Sequence, residues 1–265
     1  MPELPEVESI RRMITERIVG RKIVGAIIHL PRIVRSGDLR SLIGATITEV
    51  QRHGKYLQII TDVKVDLFAH LKMTGAFLWS EDLNDKPRYI RAALKFKNCS
   101  LLYRDIRTLG ALWVLPKGTA PWKRMGVDPL TPEFTAARLM ELFAKRRLPI
   151  KLALMDQTMV AGIGNIYAAE ALFAAKIHPA RPANSLKTAE WRRLRNAAVR
   201  ILRASLDFGG TTFRDFKLPD DQAGEFKNFL KVYGKAGKRC PRCRKEIQKI
   251  VQANRSTFFC PNCQA

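Results

Sequence analysis

Two cysteine pairs near the end of the 265-residue chain, Cys240/Cys243 and Cys260/Cys263, each enclose two residues, and sixteen residues separate them. Thiolates in paired knuckles of this kind converge on one tetrahedral centre, so the spacing predicts a four-thiolate zinc site. With sulfur at all four positions, no site remains for a reacting ligand. The ion is therefore structural and holds a small β-hairpin. The fifth cysteine, Cys99, sits in an alternating run and reads as a small buried side chain. Five cysteines in a reducing compartment argue against a disulfide framework.

The hairpin region is strongly basic. Residues 231–265 carry nine Lys or Arg and a single acid, Glu246. The whole chain has 47 Lys and Arg against 24 Asp and Glu, a formal +23. Each basic side chain can displace a counterion from nucleic acid, so a phosphate-rich partner is expected, with an anionic membrane surface as its rival. No apolar run approaches the roughly 20 residues of a membrane helix. The start, Met1-Pro2-Glu3-Leu4-Pro5-Glu6, lacks the basic-then-apolar pattern of a secretory signal, so an intracellular protein is expected. Hydrophobic residues make up 46% of the chain, enough to bury a core and exclude wholesale disorder.

Periodicity divides the chain. Val7, Ile10, Ile14 and Ile18 recur at helical spacing, predicting a helix over residues 5–18 that Gly20 ends. Short alternating runs follow over about 23–115 (23–30, 45–50, 56–60, 94–96 and 101–103), an all-β pattern compatible with a sandwich or a barrel. Pro116, Gly118, Pro121, Gly126, Pro129 and Pro132 mark a linker at 116–132. Helical spacing then returns: a helix capped by Thr131 and running to about Lys145, one over 155–175, and one over 189–208 with Trp191, Leu194, Ala198, Ile201 and Leu202 in one stripe.

The N-terminus has chemistry of its own. Met1 precedes a small residue, so its removal is expected, which leaves Pro2 with a free secondary amine. An α-amino group has a pKa near 8, well below lysine, so much of it is neutral at physiological pH. Such an amine can attack a sugar C1′ and form an iminium, with Glu3 beside it as general acid or base.

These features combine with several motifs: Met1-Pro2-Glu3-Leu4-Pro5-Glu6-Val7-Glu8, Lys55-Tyr56-Leu57, His70-Leu71-Lys72-Met73-Thr74-Gly75, Met155-Asp156-Gln157 through Ala161-Gly162-Ile163-Gly164-Asn165-Ile166-Tyr167, Val232-Tyr233-Gly234-Lys235, and Asn254-Arg255-Ser256-Thr257. In this order, over essentially the whole chain, they resemble the formamidopyrimidine-DNA glycosylase family of bacterial repair enzymes. The resemblance implies an α+β, multi-domain protein. Its parts would be an N-terminal β-sandwich with flanking helices over 1–115, a linker over 116–132, a helix–two-turn–helix domain with a lesion-capping loop over 133–230, and a zinc finger over 231–265.

The resemblance also implies roles. Pro2 would be the nucleophile, Glu3 its acid, Lys55 a phosphate ligand and proton donor in β-elimination, and Arg255 the finger residue of δ-elimination. Met73 would fill the gap left by an extruded nucleotide, a step glycosylases need. Arg107 would face the orphaned base, with Leu109 beside it where the family usually has Phe and Thr108 where a basic residue is frequent. Arg88 takes the place of a DNA-contacting histidine, with Tyr89 as the other candidate. Arg146, Lys151 and Asn165 would add contacts to DNA. Glu6 and Glu170 match acids of the pattern, and Glu170 reads equally as a buried hydrogen-bonding residue. Thr211-Thr212-Phe213-Arg214-Asp215-Phe216 through Gly224-Glu225-Phe226 resembles the loop over a flipped 8-oxoguanine, although Asp221 and Glu225 depart from it.

The implied function is a bifunctional glycosylase/AP lyase of base excision repair for oxidised purines. It would act as a monomer on double-stranded DNA with oxidised bases or abasic sites, in the cytoplasm at the nucleoid, with one structural zinc. The alternatives are an endonuclease VIII-like enzyme for oxidised pyrimidines, against which Leu4 argues, and a non-catalytic binder of damaged DNA.

Overall fold

The computed structural model describes residues 1–82, 87–212, 219 and 224–265, and these form two compact units. The first contains Met1–Lys123 and Phe208–Lys227; the second contains Arg124–Asp207 and Asn228–Ala265. Lys86, most of the loop expected to cap the lesion (213–218 and 220–223) and its Asp221 lie outside the described residues.

The first unit opens with helix α1, Leu4–Ile18. Pro5 suits the first turn, where its missing N–H costs nothing. Val7, Ile10, Ile14 and Ile18 are each no more than 1% exposed. Burying four such side chains contributes about 2 kcal/mol apiece. Gly20 ends the helix at φ +79°.

Eleven strands follow among the described residues of the chain, nine of them in this unit. In chain order these nine are β1 (Gly25–Ile28), β2 (Val34–Ser36), β3 (Ile47–His53), β4 (Tyr56–Thr61), β5 (Val65–His70), β6 (Gly75–Ser80), β7 (Ile90–Lys95), β8 (Ser100–Asp105) and β9 (Ala111–Pro116). One sheet has the order β1-β7-β8-β6 and the other β2-β9-β5-β4-β3, with only β2–β9 parallel. Leu57, Ile59 and Leu67 of the second sheet share one core with Phe77, Leu94 and Leu101 of the first and with α1. The all-β pattern is thus a sandwich with a flanking helix. The first expected strand shortens to Gly25–Ile28, because Pro31 opens a 3-10 turn. Part of the expected linker belongs to this unit: the Trp122 ring packs on His53, Tyr56 and Phe68.

The second unit contains α2 (Ala136–Phe143), α3 (Ile150–Met155), α4 (Asn165–Ala175), α5 (Thr188–Asp207) and the hairpin β10 (Gln248–Gln252) with β11 (Arg255–Phe259). Two expectations are corrected. Thr135, not Thr131, caps α2: its hydroxyl accepts from Arg138 N–H, while the Thr131 hydroxyl donates to the Asp128 carbonyl. Residues 155–175 are not one helix, since α3 ends at Met155 and α4 begins at Asn165. Between them Asp156 ties down Thr158, Gln157 bonds Gly162 N–H and the Ile163 carbonyl, and Gly162 sits at φ +91°. A left-handed glycine whose neighbours satisfy their polar groups within the turn breaks the helix cleanly.

Candidate functional site

In the first unit the N-terminal segment is held from within. Pro2 and Glu3 are buried, whereas Met1 is 42% exposed. The Glu6 carboxylate accepts from Glu3 N–H at 2.7 Å and from Thr211 N–H at 2.7 Å. It therefore joins the start of α1 to the turn at Gly210. A Cβ on Gly210 would lie 2.9 Å from Glu6, so only glycine fits there.

Lys55 follows Gly54 in the β3–β4 turn and is 6% exposed. It lies close enough to His70, at the end of β5, to act on its charge. Burial first, then the positive charges of Lys72 and Lys55, push the His70 pKa down to about 3. His70 Nδ1 accepts from Lys72 N–H at 3.0 Å, so the neutral ring carries its proton on Nε2. At neutral pH the imidazole beside Lys55 and Lys72 is uncharged.

Met73, Arg107 and Leu109 stand on two loops of the same unit and are exposed, Met73 at 40% and Leu109 at 43%. Arg88 is exposed on the segment before β7. The Tyr89 ring is exposed and lies under the Arg91 guanidinium at 5.6 Å. The Thr108 hydroxyl accepts from Arg32 at 3.1 Å, so a guanidinium reaches this loop although position 108 carries no charge. Both loops rest on Tyr103: a Cβ on Gly75 or Gly110 would come within 2.7 or 1.9 Å of its hydroxyl. Burial, and then the Asp105 charge, push the Tyr103 phenol well above its ordinary range, so it stays neutral.

In the second unit, the finger hairpin turns through Ala253 and Asn254, both at positive φ, and presents Arg255 to solvent. Arg146 is exposed after α2. Lys151 and Asn165 differ from expectation. Lys151 is fully buried, and its ammonium donates to Thr257 Oγ1 at 2.7 Å and to the Ser256 carbonyl at 3.2 Å. It holds the finger loop and offers no exposed phosphate contact. The Asn165 amide also donates inward, to the Ser256 carbonyl at 3.1 Å and the Tyr233 hydroxyl at 3.4 Å. Its Oδ1 is buried with no hydrogen-bond partner among the described residues, an acceptor that suits a donor rather than a phosphate. Glu170 proves to be a buried hydrogen-bonding residue: its carboxylate accepts from the N–H groups of Lys231, Val232 and Tyr233 at 2.8–2.9 Å.

The four finger sulfurs lie within 4.8 Å of one another, with Cys240–Cys263 at 3.9 Å and Cys243–Cys260 at 3.4 Å. Zn–S bonds of about 2.3 Å place tetrahedral sulfurs about 3.8 Å apart, so the cage fits zinc. Arg242 N–H points at Cys240 Sγ, as expected around a thiolate. The knuckle is seated on α4 by the Arg242 guanidinium, which bonds the Phe173 and Ala174 carbonyls and stacks on the Phe173 ring.

What sequence reading missed are the inward partners. Asp105, Thr74 and Glu170 contact groups 31 or more residues away, and no local pattern signals such pairs. The nearest hint is the Asp105-to-Gly110 spacing, which suits a carboxylate closing its own turn.

The chain matches the family models described as Formamidopyrimidine-DNA glycosylase N-terminal domain (residues 1–112), Formamidopyrimidine-DNA glycosylase H2TH domain (125–217) and Zinc finger found in FPG and IleRS (237–265). It is 39% identical to the formamidopyrimidine-DNA glycosylase of Pelotomaculum thermopropionicum, covering 100% of this chain and 99% of that one. A Lactococcus lactis FPG mutant in complex with a Fapy-dG containing DNA has a TM-score of 0.93 and 37% identity over 99% of each chain. Lactococcus lactis Fpg with an abasic site containing DNA gives 0.92 and 37%, again over 99% of each chain. Sandwich, split helix pair and four-thiolate hairpin thus define a DNA-repair glycosylase with a zinc-finger domain. The chain belongs to the formamidopyrimidine-DNA glycosylase family.

Proposed function

We propose that this protein is a bifunctional glycosylase and AP lyase that excises oxidised purines, 8-oxoguanine and formamidopyrimidines, from duplex DNA through the amine of Pro2. The observation that carries the reading is the anchored N-terminus: the buried Glu6 carboxylate holds Glu3 N–H and Thr211 N–H, which leaves Pro2 at the head of a tethered helix. Loss of Met1 turns the Pro2 nitrogen into a secondary amine. The amine attacks C1′, Glu3 supplies the proton that opens the deoxyribose, and the damaged base leaves with its electron pair. The resulting iminium acidifies C2′. Removal of a C2′ proton then expels the 3′ phosphate (β-elimination), and a second elimination expels the 5′ phosphate. Lys55 serves the first elimination and Arg255 the second.

The reading further assigns Met73 to the gap left by the extruded nucleotide, Arg107 to the orphaned base, and Arg88 and Arg146 to phosphates. Arg88 and Arg146 are exposed, which leaves their guanidinium groups open to phosphate. The names of the similar proteins and the lesion-containing DNA bound by two of them support the substrate class.

The test is borohydride trapping on an oligonucleotide with 8-oxoguanine opposite cytosine, after intact mass has shown that Met1 is absent. A covalent adduct is expected, with the linked mass on the N-terminal peptide that begins at Pro2. No adduct on oxidised purines or oxidised pyrimidines would reject the Schiff base, and an adduct with pyrimidines alone would reject the purine assignment.

A further inference from the structure

Three exposed segments of the first unit converge on one buried carboxylate. Asp105 is 0% exposed. Its Oδ1 accepts from the Thr74 hydroxyl and its Oδ2 from Gly110 N–H at 2.7 Å. Thr74, 2% exposed, uses its other hydroxyl capacity to accept from Arg107 N–H at 3.0 Å. The Asp105 backbone is engaged as well: its N–H donates to the Tyr89 carbonyl at 3.0 Å, and its carbonyl accepts from Arg91 Nε at 2.8 Å. Each exposed side chain of interest is one or two residues from a member of this network. Met73 adjoins Thr74, Leu109 adjoins Gly110, Arg107 is bonded through its own amide, and Arg88 adjoins Tyr89.

A hydroxyl has one proton to donate and lone pairs to accept with, so Thr74 can serve Asp105 and Arg107 at once. Two loops far apart in sequence are thereby locked to each other through groups that never reach solvent. Low local dielectric makes such a fully satisfied network stiff.

We propose that Asp105 and Thr74 are positioning residues that set Met73, Arg107 and Leu109 as a single rigid wedge. The wedge enters the base stack when the damaged nucleotide leaves it, and Thr74 acts on that insertion and not on bond cleavage. This rests on the assignment of Met73 and Arg107 made in the preceding subsection.

Two readouts separate insertion from chemistry. The first is the fluorescence of 2-aminopurine placed opposite an abasic-site analogue in a duplex, which rises when the base is unstacked. The second is borohydride trapping on a single-stranded oligonucleotide with a preformed aldehydic abasic site, where there is no stack to open. Thr74→Val keeps the shape but leaves Asp105 and the Arg107 amide without the hydroxyl. It should cut the saturating fluorescence rise at least fivefold while leaving single-strand trapping within twofold of wild type. Thr74→Ser restores the hydroxyl and should recover the rise to within twofold. Should the valine variant fail to fold, Thr74→Ala, which cannot overpack, reports the same loss.

A full rise with Thr74→Val or Thr74→Ala overturns the proposal. So does a loss that extends equally to single-strand trapping, or one that Thr74→Ser does not reverse. Wild type that traps but gives no rise overturns the wedge alone. Wild type that gives the rise but never traps rejects the Schiff base and leaves the wedge standing.

Discussion

The two units solve one problem from opposite sides of the hydrogen bond. In the first, a buried carboxylate, Asp105, accepts from Thr74 and Gly110 and so fixes the loops of Met73, Arg107 and Leu109. In the second, a buried amine, the Nζ of Lys151, donates to Ser256 and Thr257 and so fixes the loop of Arg255. An unsatisfied buried polar group is costly, and each hub meets that cost with hydrogen bonds to loop atoms. The difference lies in what else holds the loop. The 105–110 loop is seated on protein alone, with Tyr103 beneath it. The finger loop also depends on the four-thiolate cage at the far end of its hairpin.

Zinc removal exploits that difference most strongly. Stripping the ion with a chelator should unfold the hairpin and weaken duplex binding at least 100-fold, since metal binding and folding are coupled in such modules. Hydrogen-exchange protection of β3 to β9 should survive. Loss of protection in both units would show that they do not differ as described. Next in size are the hubs themselves. Lys151→Met should destabilise by about 1–3 kcal/mol, the cost of buried acceptors deprived of a donor. Asp105→Asn should cost a similar amount, because an amide cannot accept from both Thr74 and Gly110. Chemical denaturation measures both. Equal sensitivity of the two variants to zinc removal would erase the distinction between the hubs.

Salt dependence is a finer probe. If six to ten phosphates are contacted, affinity should fall by roughly 10³–10⁵ between 50 and 200 mM salt. On the proposed assignments, Arg255→Ala should reduce the slope of log affinity against log salt by about 1, and Arg107→Ala should leave it unchanged, because a residue facing a base releases no phosphate counterion. Equal slopes for the two variants would merge their roles.

The smallest effect concerns a structural ion cluster in the first unit. Burial raises the Glu8 pKa, but hydrogen bonds from Arg11 and Arg12 and the charges of Arg11 and Arg52 outweigh it, and the carboxyl is held below its ordinary value of 4.5. Its contribution is therefore present above that value and is lost as pH falls through the lower folded one. Glu8→Gln should cost about 1–2 kcal/mol at pH 7 and almost nothing once the carboxyl is protonated. A penalty independent of pH, measured by denaturation from pH 7 to 3, would remove the charge from the explanation.

What was legible in the sequence was whatever repeats or is spaced locally. The cysteine knuckles, the α1 stripe and the alternating runs of the sandwich each carry their own period. The Thr131 cap failed because Thr135 lies four residues on, an equally good capping residue, and only the packing of Leu139 and Phe143 fixes the helix start. The motif resemblance makes Lys151 and Asn165 contacts to DNA, but a motif does not tell which way a side chain turns, and both donate inward. Their partners lie 68 to 106 residues away. Exposed candidates such as Met73, Arg107 and Arg255 could be named from motif, but what aims them could not.

Gly110 packs so closely on Tyr103 that no side chain fits there, and together with Asp105 it brackets four residues, 106–109, from below. The course of the loop is thus set at its two feet and at the Arg107 amide, while the Arg107 and Leu109 side chains stand exposed along its crest. Chemistry at positions 107–109 can change without moving the backbone that carries it. In such a design, side chains can drift while the scaffold stays still. On the proposed assignment, grafting other residues onto this crest would alter which base is tolerated across from the gap.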